Sequence, residues 1–345
     1  MKVRLSRPVK LCIEIVILGL LVFLFFKLLD FRHVVTYIHL ITPRVLGGII
    51  GFQLSILLIQ TFQWRLILRE AGIYRGAWWT FWARTSGFAL TYLTPSMYFG
   101  GEPLRASLYK SPAMSYQKVY ATIALDKYIE LAGKIPCIIV GFSILVYFVH
   151  TGTVLIFVAG TILAVFIGFF IFLIAKLFSS QTFIVTFFKR ILRPLARLRP
   201  RLSVKVLKAV REFSVDVRTI ISRRRIFYLA MAAGVAVAVV EVLQTLYILW
   251  VLGHPSLPNS FVIFATVVIQ GLIGLLPGNI GGMEGTHLFI FNILRIGSDP
   301  SLVYTIILRI GQMIMVLLGL LNIFAWRVDR AKVRLRGADR NRTDA

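Results

Sequence analysis

Between two apolar runs, Phe261 to Leu275 and Leu288 to Leu294, lies the stretch Leu276-Pro277-Gly278-Asn279-Ile280-Gly281-Gly282-Met283-Glu284-Gly285-Thr286-His287. Neither run reaches the ~20 apolar residues that a spanning helix needs. Proline, repeated glycine, Asn, Glu and His are misplaced in membrane helix unless the helix breaks there. Backbone without helical hydrogen bonds is tolerated at membrane depth only where protein or a watery cavity surrounds it. The stretch therefore reads as the tip of a re-entrant hairpin lining a cavity. A second lies upstream: Thr94-Pro95-Ser96-Met97-Tyr98-Phe99-Gly100-Gly101-Glu102-Pro103-Leu104-Arg105. In each, the Glu follows the Pro by seven positions (95 to 102, 277 to 284), with a Gly-Gly pair shortly before the acid. The tip residues are Pro95, Gly100, Gly101, Pro277, Gly278, Gly281 and Gly282.

The rest of the chain supplies the membrane. Of its 345 residues 58% are hydrophobic and 15% charged, at a mean hydropathy of +0.83, which marks an all-α polytopic integral membrane protein. The expected spans are Leu11–Leu29, Val45–Leu68, Val119–Val149 (kinked at Pro136), Val154–Leu177, Ile226–Leu252 and Leu302–Trp326. Together these make about six spans and two re-entrant helical hairpins, over 77–110 and 261–295. The hairpins enter from opposite faces, and each is followed by a span with buried charge. That is the trace of an inverted repeat.

The net charge of +25 would suggest nucleic acid in a soluble protein. Here the basic residues flank the apolar runs, as the positive-inside rule requires, and no nucleic-acid partner is expected. The rule places both termini in the cytoplasm; the expected location is a bacterial cytoplasmic (inner) membrane. The basic segment 189–225 is cytoplasmic, and within it 198–222 forms an amphipathic helix. Leu202, Val206, Val210, Phe213, Val217 and Ile220 share one arc, and Lys205, Lys208, Arg211 and Arg218 oppose it. Such a helix lies on the inner leaflet. Residues 1–327 make one transmembrane domain, and 328–345 a basic, disordered cytoplasmic tail. Cys12 and Cys137 read as inert small hydrophobes, and the tryptophans as an interfacial belt.

Charged side chains at membrane depth cost at least ~2.5–3.5 kcal/mol each, so they pair or line a polar cavity. Five acids (Glu102, Asp126, Glu130, Glu241, Glu284) and five bases (Arg84, Arg105, Lys127, Lys134, Arg309) fall inside apolar segments. Glu130 and Lys134 are spaced to pair along one helix face. Glu102 and Glu284 each open the helix after a break. There they either favour the helix dipole or, with Arg105 and Arg309, meet a polar head group. Glu241 shares a face with Gln244 and Thr245, and His287 follows Glu284 by one turn. The candidate cavity residues are Glu102, Arg105, Asp126, Glu130, Lys134, Glu241, Asn279, Glu284, His287 and Arg309. No Walker A loop, dinucleotide fingerprint, zinc spacing or Cys-His arrangement is present. No cofactor or metal is expected, ATP use is excluded, and the chain is read as a carrier, not an enzyme.

Four motifs, in order, resemble the lysylphosphatidylglycerol synthase transmembrane family, also called flippase-like. They are Gly100-Gly101-Glu102-Pro103-Leu104-Arg105-Ala106, Ala124-Leu125-Asp126-Lys127-Tyr128-Ile129-Glu130-Leu131, Leu276-Pro277-Gly278-Asn279-Ile280-Gly281-Gly282-Met283-Glu284-Gly285 and Leu308-Arg309-Ile310. The resemblance spans roughly residues 10 to 327. It departs at Asn279, where the family usually has Gly, and at Asp126-Lys127, where Glu-Arg is usual. The family implies a flippase-like domain moving a lipid between leaflets, as in the membrane domain of the multiple peptide resistance factor. That protein's soluble synthase domain has no counterpart here, and synthase activity is not carried over. The expected function is translocation of an anionic or zwitterionic phospholipid, or a related polar lipid, through a central polar cavity. The alternatives are an integral-membrane enzyme acting on a lipid or polyprenyl phosphate, and a proton-coupled carrier. Membrane lipids are the expected partners, and an oligomer is compatible with the sequence.

Overall fold

The computed structural model describes residues 42–94, 100–109, 116–148, 224–267, 270 and 277–343, with isolated positions between 160 and 220. The expected span Leu11–Leu29, most of Val154–Leu177 and the tip residue Pro95 lie outside the described residues.

The described residues are helical. In chain order the helices are α1 (Pro43–Glu70), α2 (Ala77–Leu93), α3 (Glu102–Tyr109), α4 (Tyr116–Phe148), α5 (Arg224–Val251), α6 (Leu257–Ala265), α7 (Gly282–Ile293) and α8 (Ser298–Thr343). A short 3₁₀ turn, Pro277–Asn279, precedes α7. Four of these helices contain segments long and apolar enough to cross a membrane: Pro43–Glu70, Tyr116–Tyr147, Arg224–Val251 and Ser298–Trp326. They correspond to four of the expected spans, and the chain is a multi-pass membrane protein.

Local chemistry sets the helix ends. Thr42 caps α1 by accepting the Val45 N–H at 3.3 Å, and Pro43 occupies the first turn, where its missing N–H costs nothing. At the other end Gly72 turns left-handed (φ 68°). Its N–H reaches the Arg69 carbonyl at 2.9 Å and that of Ile73 reaches Leu68 at 2.8 Å, closing the last turn. The same closure ends α5 at Gly253 and α7 at Arg295, the latter a non-glycine residue with φ 55°.

The two interrupted segments occupy matching places. Span α1, broken pair α2–α3 and span α4 correspond in order to span α5, broken pair α6–α7 and span α8. The packing follows the same exchange. Helix α6 lies against α4, where a Cβ on Gly141 would overlap the Phe261 carbonyl. Helix α2 lies against α8, where a Cβ on Gly319 would overlap the Thr85 carbonyl. The first helix of each broken pair is thus held by the long helix of the other half. Helices α1 and α5 run antiparallel at the centre: Tyr247 donates to the Arg44 carbonyl at 3.3 Å, and Gly234 lies beside Gln63 near the far end. Glycines permit these approaches. A Cβ at Gly133 of α4 would run into the backbone of Gly234 on α5, and one at Gly101 into Gly87 and Thr91.

Two further expectations concern the basic segments. The tail, expected to be disordered, continues α8 as helix to Thr343. Charge alone does not stop a helix already nucleated, and 327–343 contains no proline to do so. The 198–222 helix is described at only some positions, and these are helical. Its apolar arc does not simply face lipid: Val217 and Ile220 are buried in a core cluster with Trp64, Tyr109 and Ala230, and Phe213 packs alongside. Burial against protein removes more water from that arc than an interface would.

The glycine crossings yield a direct test. Gly133→Val should lower the stability of the detergent-solubilised protein by at least ~1–3 kcal/mol. Gly47→Val, at a position with nothing within 4 Å of an added Cβ, should leave it within ~0.5 kcal/mol. Thermal unfolding followed by tryptophan fluorescence compares the two, and equal losses would contradict the close approach of α4 and α5.

Candidate functional site

The helices enclose a chamber of about 290 Å³. Its wall takes side chains from α1 through α8 and the break before α7. Glu102, Arg105, Glu130, Lys134, Glu241, Asn279 and His287 line it, as do Arg84, Tyr92, Gln244 and Gln312. Asp126, Glu284 and Arg309 stand behind the lining.

The innermost group is Asp126 on α4, which has no solvent exposure. Arg84 of α2 donates to its Oδ2 at 2.6 Å and Arg105 of α3 at 2.7 Å, while Gln63 of α1 donates to Oδ1 at 2.9 Å. Four helices therefore meet on one carboxylate. Arg84 also reaches Glu130 at 3.0 Å and Gln60 at 3.2 Å, and Lys127 lies 3.4 Å from Glu130. The Arg105 guanidinium stacks 3.9 Å from the Trp64 ring centre, and Trp64 in turn donates to Thr122 at 3.3 Å. Charges this deep persist because each is answered by an opposite charge with directed hydrogen bonds.

A second group fixes the break before α7. Gly278 (φ 62°), Asn279 (φ 52°) and Gly281 (φ 82°) adopt left-handed backbone, which ends the preceding chain direction and starts the helix at Gly282. Glu284 accepts the Gly281 N–H at 2.8 Å through one oxygen and pairs with Arg309 of α8 through the other, at 2.6 Å to Nε. Arg309 Nη1 donates to the Gly278 carbonyl at 3.0 Å and to the Tyr92 hydroxyl at 3.1 Å. Tyr92 stands near the end of α2, so Arg309 ties the second break to the first broken pair.

Two smaller groups complete the wall. Lys134 of α4 pairs with Glu241 of α5 at 2.8 Å. His287 is held on both nitrogens, by Thr305 at 2.8 Å and Gln270 at 2.9 Å, with the Tyr304 ring edge-on at 4.8 Å. Asn279 Nδ2 donates to the Gln270 carbonyl at 3.2 Å. Among the described residues no three His, Cys, Asp or Glu side chains gather as metal ligands would.

Glu130 and Lys134, expected to pair along one helix face, each also reach across to another helix. Glu130 holds Arg84 and Lys127, and Lys134 reaches across to Glu241. Arg105 and Arg309, expected to meet a head group, are instead engaged with Asp126 and Glu284. Arg84, although recognised as a misplaced charge, was not among the candidate cavity residues, and it bridges the two acids of α4. The structural glutamines Gln60, Gln63 and Gln270 were also missed. The seven-residue spacing of Gln53 and Gln60 on an otherwise apolar span is the signal that marks that face as polar.

Residues 11–319 match the protein family described as lysylphosphatidylglycerol synthase TM region. The chain belongs to that family. Among its relatives in the family are two UPF0104 membrane proteins of the archaeon Methanothermobacter thermautotrophicus. One is 23% identical over 266 residues, covering 75% of this chain and 78% of the relative. The other is 24% identical over 294 residues, covering 79% and 80% respectively. No solved structure matches the chain. In this lysylphosphatidylglycerol synthase TM region protein, the motifs around Glu102, Asp126, Glu284 and Arg309 all fall within the matched residues.

The two charge clusters differ in burial, which sets their sensitivity. Asp126→Asn removes the charge that answers two buried arginines and should cost about 3–5 kcal/mol of stability. Lys134 and Glu241 keep 12% and 22% side-chain exposure, so Lys134→Met should cost less than half as much. Unfolding in mixed detergent micelles measures both, and equal losses would deny Asp126 its central place.

Proposed function

We propose that this protein is a lipid translocase. A polar head group passes through the chamber while its acyl chains remain in the bilayer, without ATP hydrolysis and without chemical change to the lipid. The observation that carries this reading is the position of the breaks. Two helices interrupted at corresponding places in the two halves border one polar cavity, and Tyr92 joins them through Arg309 and Gly278.

Lengths support a re-entrant course for both broken pairs. Helices of 17 and 8 residues in the first pair, and the 12-residue α7 in the second, rise roughly 12–26 Å at 1.5 Å per residue. The hydrocarbon core is about 30 Å thick. Each pair would enter and return on one face, the first from the cytoplasm and the second from outside, with both termini cytoplasmic. Family membership supports a lipid as cargo, since the family is described by a lipid synthase's membrane region. Carboxylates, amides and paired cations along the wall offer a head group hydrogen bonds that replace its water, which lowers the barrier to crossing.

The test is reconstitution into liposomes carrying a trace of fluorescent phospholipid, with outer-leaflet fluorescence quenched by dithionite. Wild type should expose the inner-leaflet label at least tenfold faster than protein-free vesicles. Glu284→Gln and Arg309→Ala, which release the second break, should each slow it at least fivefold. Equal rates for all three proteins would remove that break from the transport path, and no rate above protein-free vesicles would refute translocation.

A further inference from the structure

Glu102 and Glu284 stand at matching positions after the two breaks, yet their surroundings differ. Glu284 accepts the Gly281 N–H and pairs with Arg309. Glu102 does neither. It opens α3, lines the chamber and is only 8% exposed, and its buried Oε2 has no hydrogen-bond partner. Each of the other four acids in the membrane segments holds a cation. Asp126 holds Arg84 and Arg105, Glu130 holds Arg84 and Lys127, Glu241 holds Lys134, and Glu284 holds Arg309. Among the described residues Glu102 alone holds none. It is the one acid of the five that can gain a proton without leaving a buried cation unanswered.

The charge count gives such a proton a role. Arg84, Arg105, Lys127, Lys134 and Arg309 stand against five acids, so an anionic head group would add an unanswered charge at membrane depth. Its way to a cation leads past Glu102. Arg105 lies one turn further along α3 and also lines the chamber. Its buried Nε has no hydrogen-bond partner, while its Nη2 serves Asp126. The remaining unpartnered atoms of the wall belong to three amides and to Glu241, which keeps its pair with Lys134. A phosphate oxygen accepting from Arg105 Nε would lie beside the Glu102 carboxylate, and like charges that close disfavour each other. A proton on Glu102 removes the repulsion and makes the carboxyl a donor to the same phosphate. The helices packed against α3 bring no rival for that proton. From α2 comes Arg84, and from α4 come Tyr116, Tyr120, Asp126, Lys127 and Glu130. Both of these acids are committed to cations.

We propose that Glu102 takes up one proton with each anionic head group that enters the chamber, which makes the protein a proton–lipid symporter. The proton comes from the aqueous phase to which the chamber is open and binds the Glu102 carboxylate as the head group arrives. It leaves with the head group on the opposite side. One negative and one positive charge cross together, the moving unit is neutral, and no covalent bond of the lipid changes. The proposal rests on the lipid reading above and adds the coupling ion.

Proton uptake on binding is the first test. The full-length, detergent-purified protein is mixed with dioctanoyl phosphatidylglycerol (one net negative charge) or dioctanoyl phosphatidylcholine (none), near neutral pH, in weak buffer with an indicator dye. Wild type should take up about one proton per anionic lipid bound and less than about 0.2 per choline lipid. Glu102→Gln should bring the first figure below about 0.2, and Glu102→Ala provides the same comparison should that variant misfold. Glu102→Asp, which keeps a carboxyl group, should restore uptake. Uptake that is absent, equal for both lipids or undiminished in Glu102→Gln overturns the proposal. Movement is the second test, in liposomes with the membrane potential clamped. An exterior more acid than the lumen by about 2 pH units should speed protein-dependent inward flipping of labelled phosphatidylglycerol at least fivefold, and change that of the choline lipid less than twofold. Flipping indifferent to the gradient overturns the coupling and leaves translocation standing. Proton uptake on binding with no flipping at all refutes translocation, and symport with it, but keeps Glu102 as the group that answers an anionic head group.

Discussion

Asp126 carries the heaviest electrostatic demand in this fold. An ionised carboxylate with no access to solvent survives only if donors replace the water it gave up. Here the donors come from three other helices: Arg84, Arg105 and Gln63. Each arginine pays its own desolvation through further contacts, Arg84 on Glu130 and Gln60, Arg105 on the face of Trp64. The position of α3 follows from this. It is an eight-residue helix whose Ala106, Leu108 and Tyr109 enter the core while its guanidinium fixes it to Asp126. Where α3 stands in turn places Glu102 and Arg105 on the chamber wall.

The second half solves the same problem differently. In place of two arginines on one acid, a single Arg309 serves Glu284, a backbone carbonyl and a tyrosine of the other half. The acid here also caps its own helix through Gly281, so one carboxylate both starts α7 and holds the cation that fixes the turn. The two breaks are equivalent in place but unequal in chemistry, and the wall they share is asymmetric. Most of its charged groups lie on α2, α3 and α4, while its neutral amides come from α1, α5, α8 and the stretch before α7.

Much of this architecture could be read from residue order. Proline, glycine and glutamate at matched spacing identified both interruptions, because nothing else in an apolar chain tolerates them. The misplaced charges were also visible, since five acids and five bases stand out against leucine and valine. Their partners were not visible. Asp126 finds Arg84 from 42 positions away and Arg105 from 21, and no local rule connects them. The local rule that does exist, four-residue spacing on a helix, pointed Glu130 toward Lys134. It gave no sign of the guanidinium from α2 that binds the same acid. The continuation of α8 to Thr343 had no apolar periodicity to announce it, since 327–343 is dominated by charge.

The exchanged packing of the two halves bears on how the chain is made. Helix α2 rests on α8, which emerges more than two hundred residues later. At about 5–20 residues per second, a ribosome needs roughly 10–45 s to deliver that partner. Throughout that interval Arg84 and the small residues of α2 sit in the bilayer with part of their final surroundings unsynthesised. The nascent first half must therefore be sheltered by the insertion machinery or by its own ion pairs with α4. Asp126 is the group that offers Arg84 and Arg105 an opposite charge as soon as α4 is made.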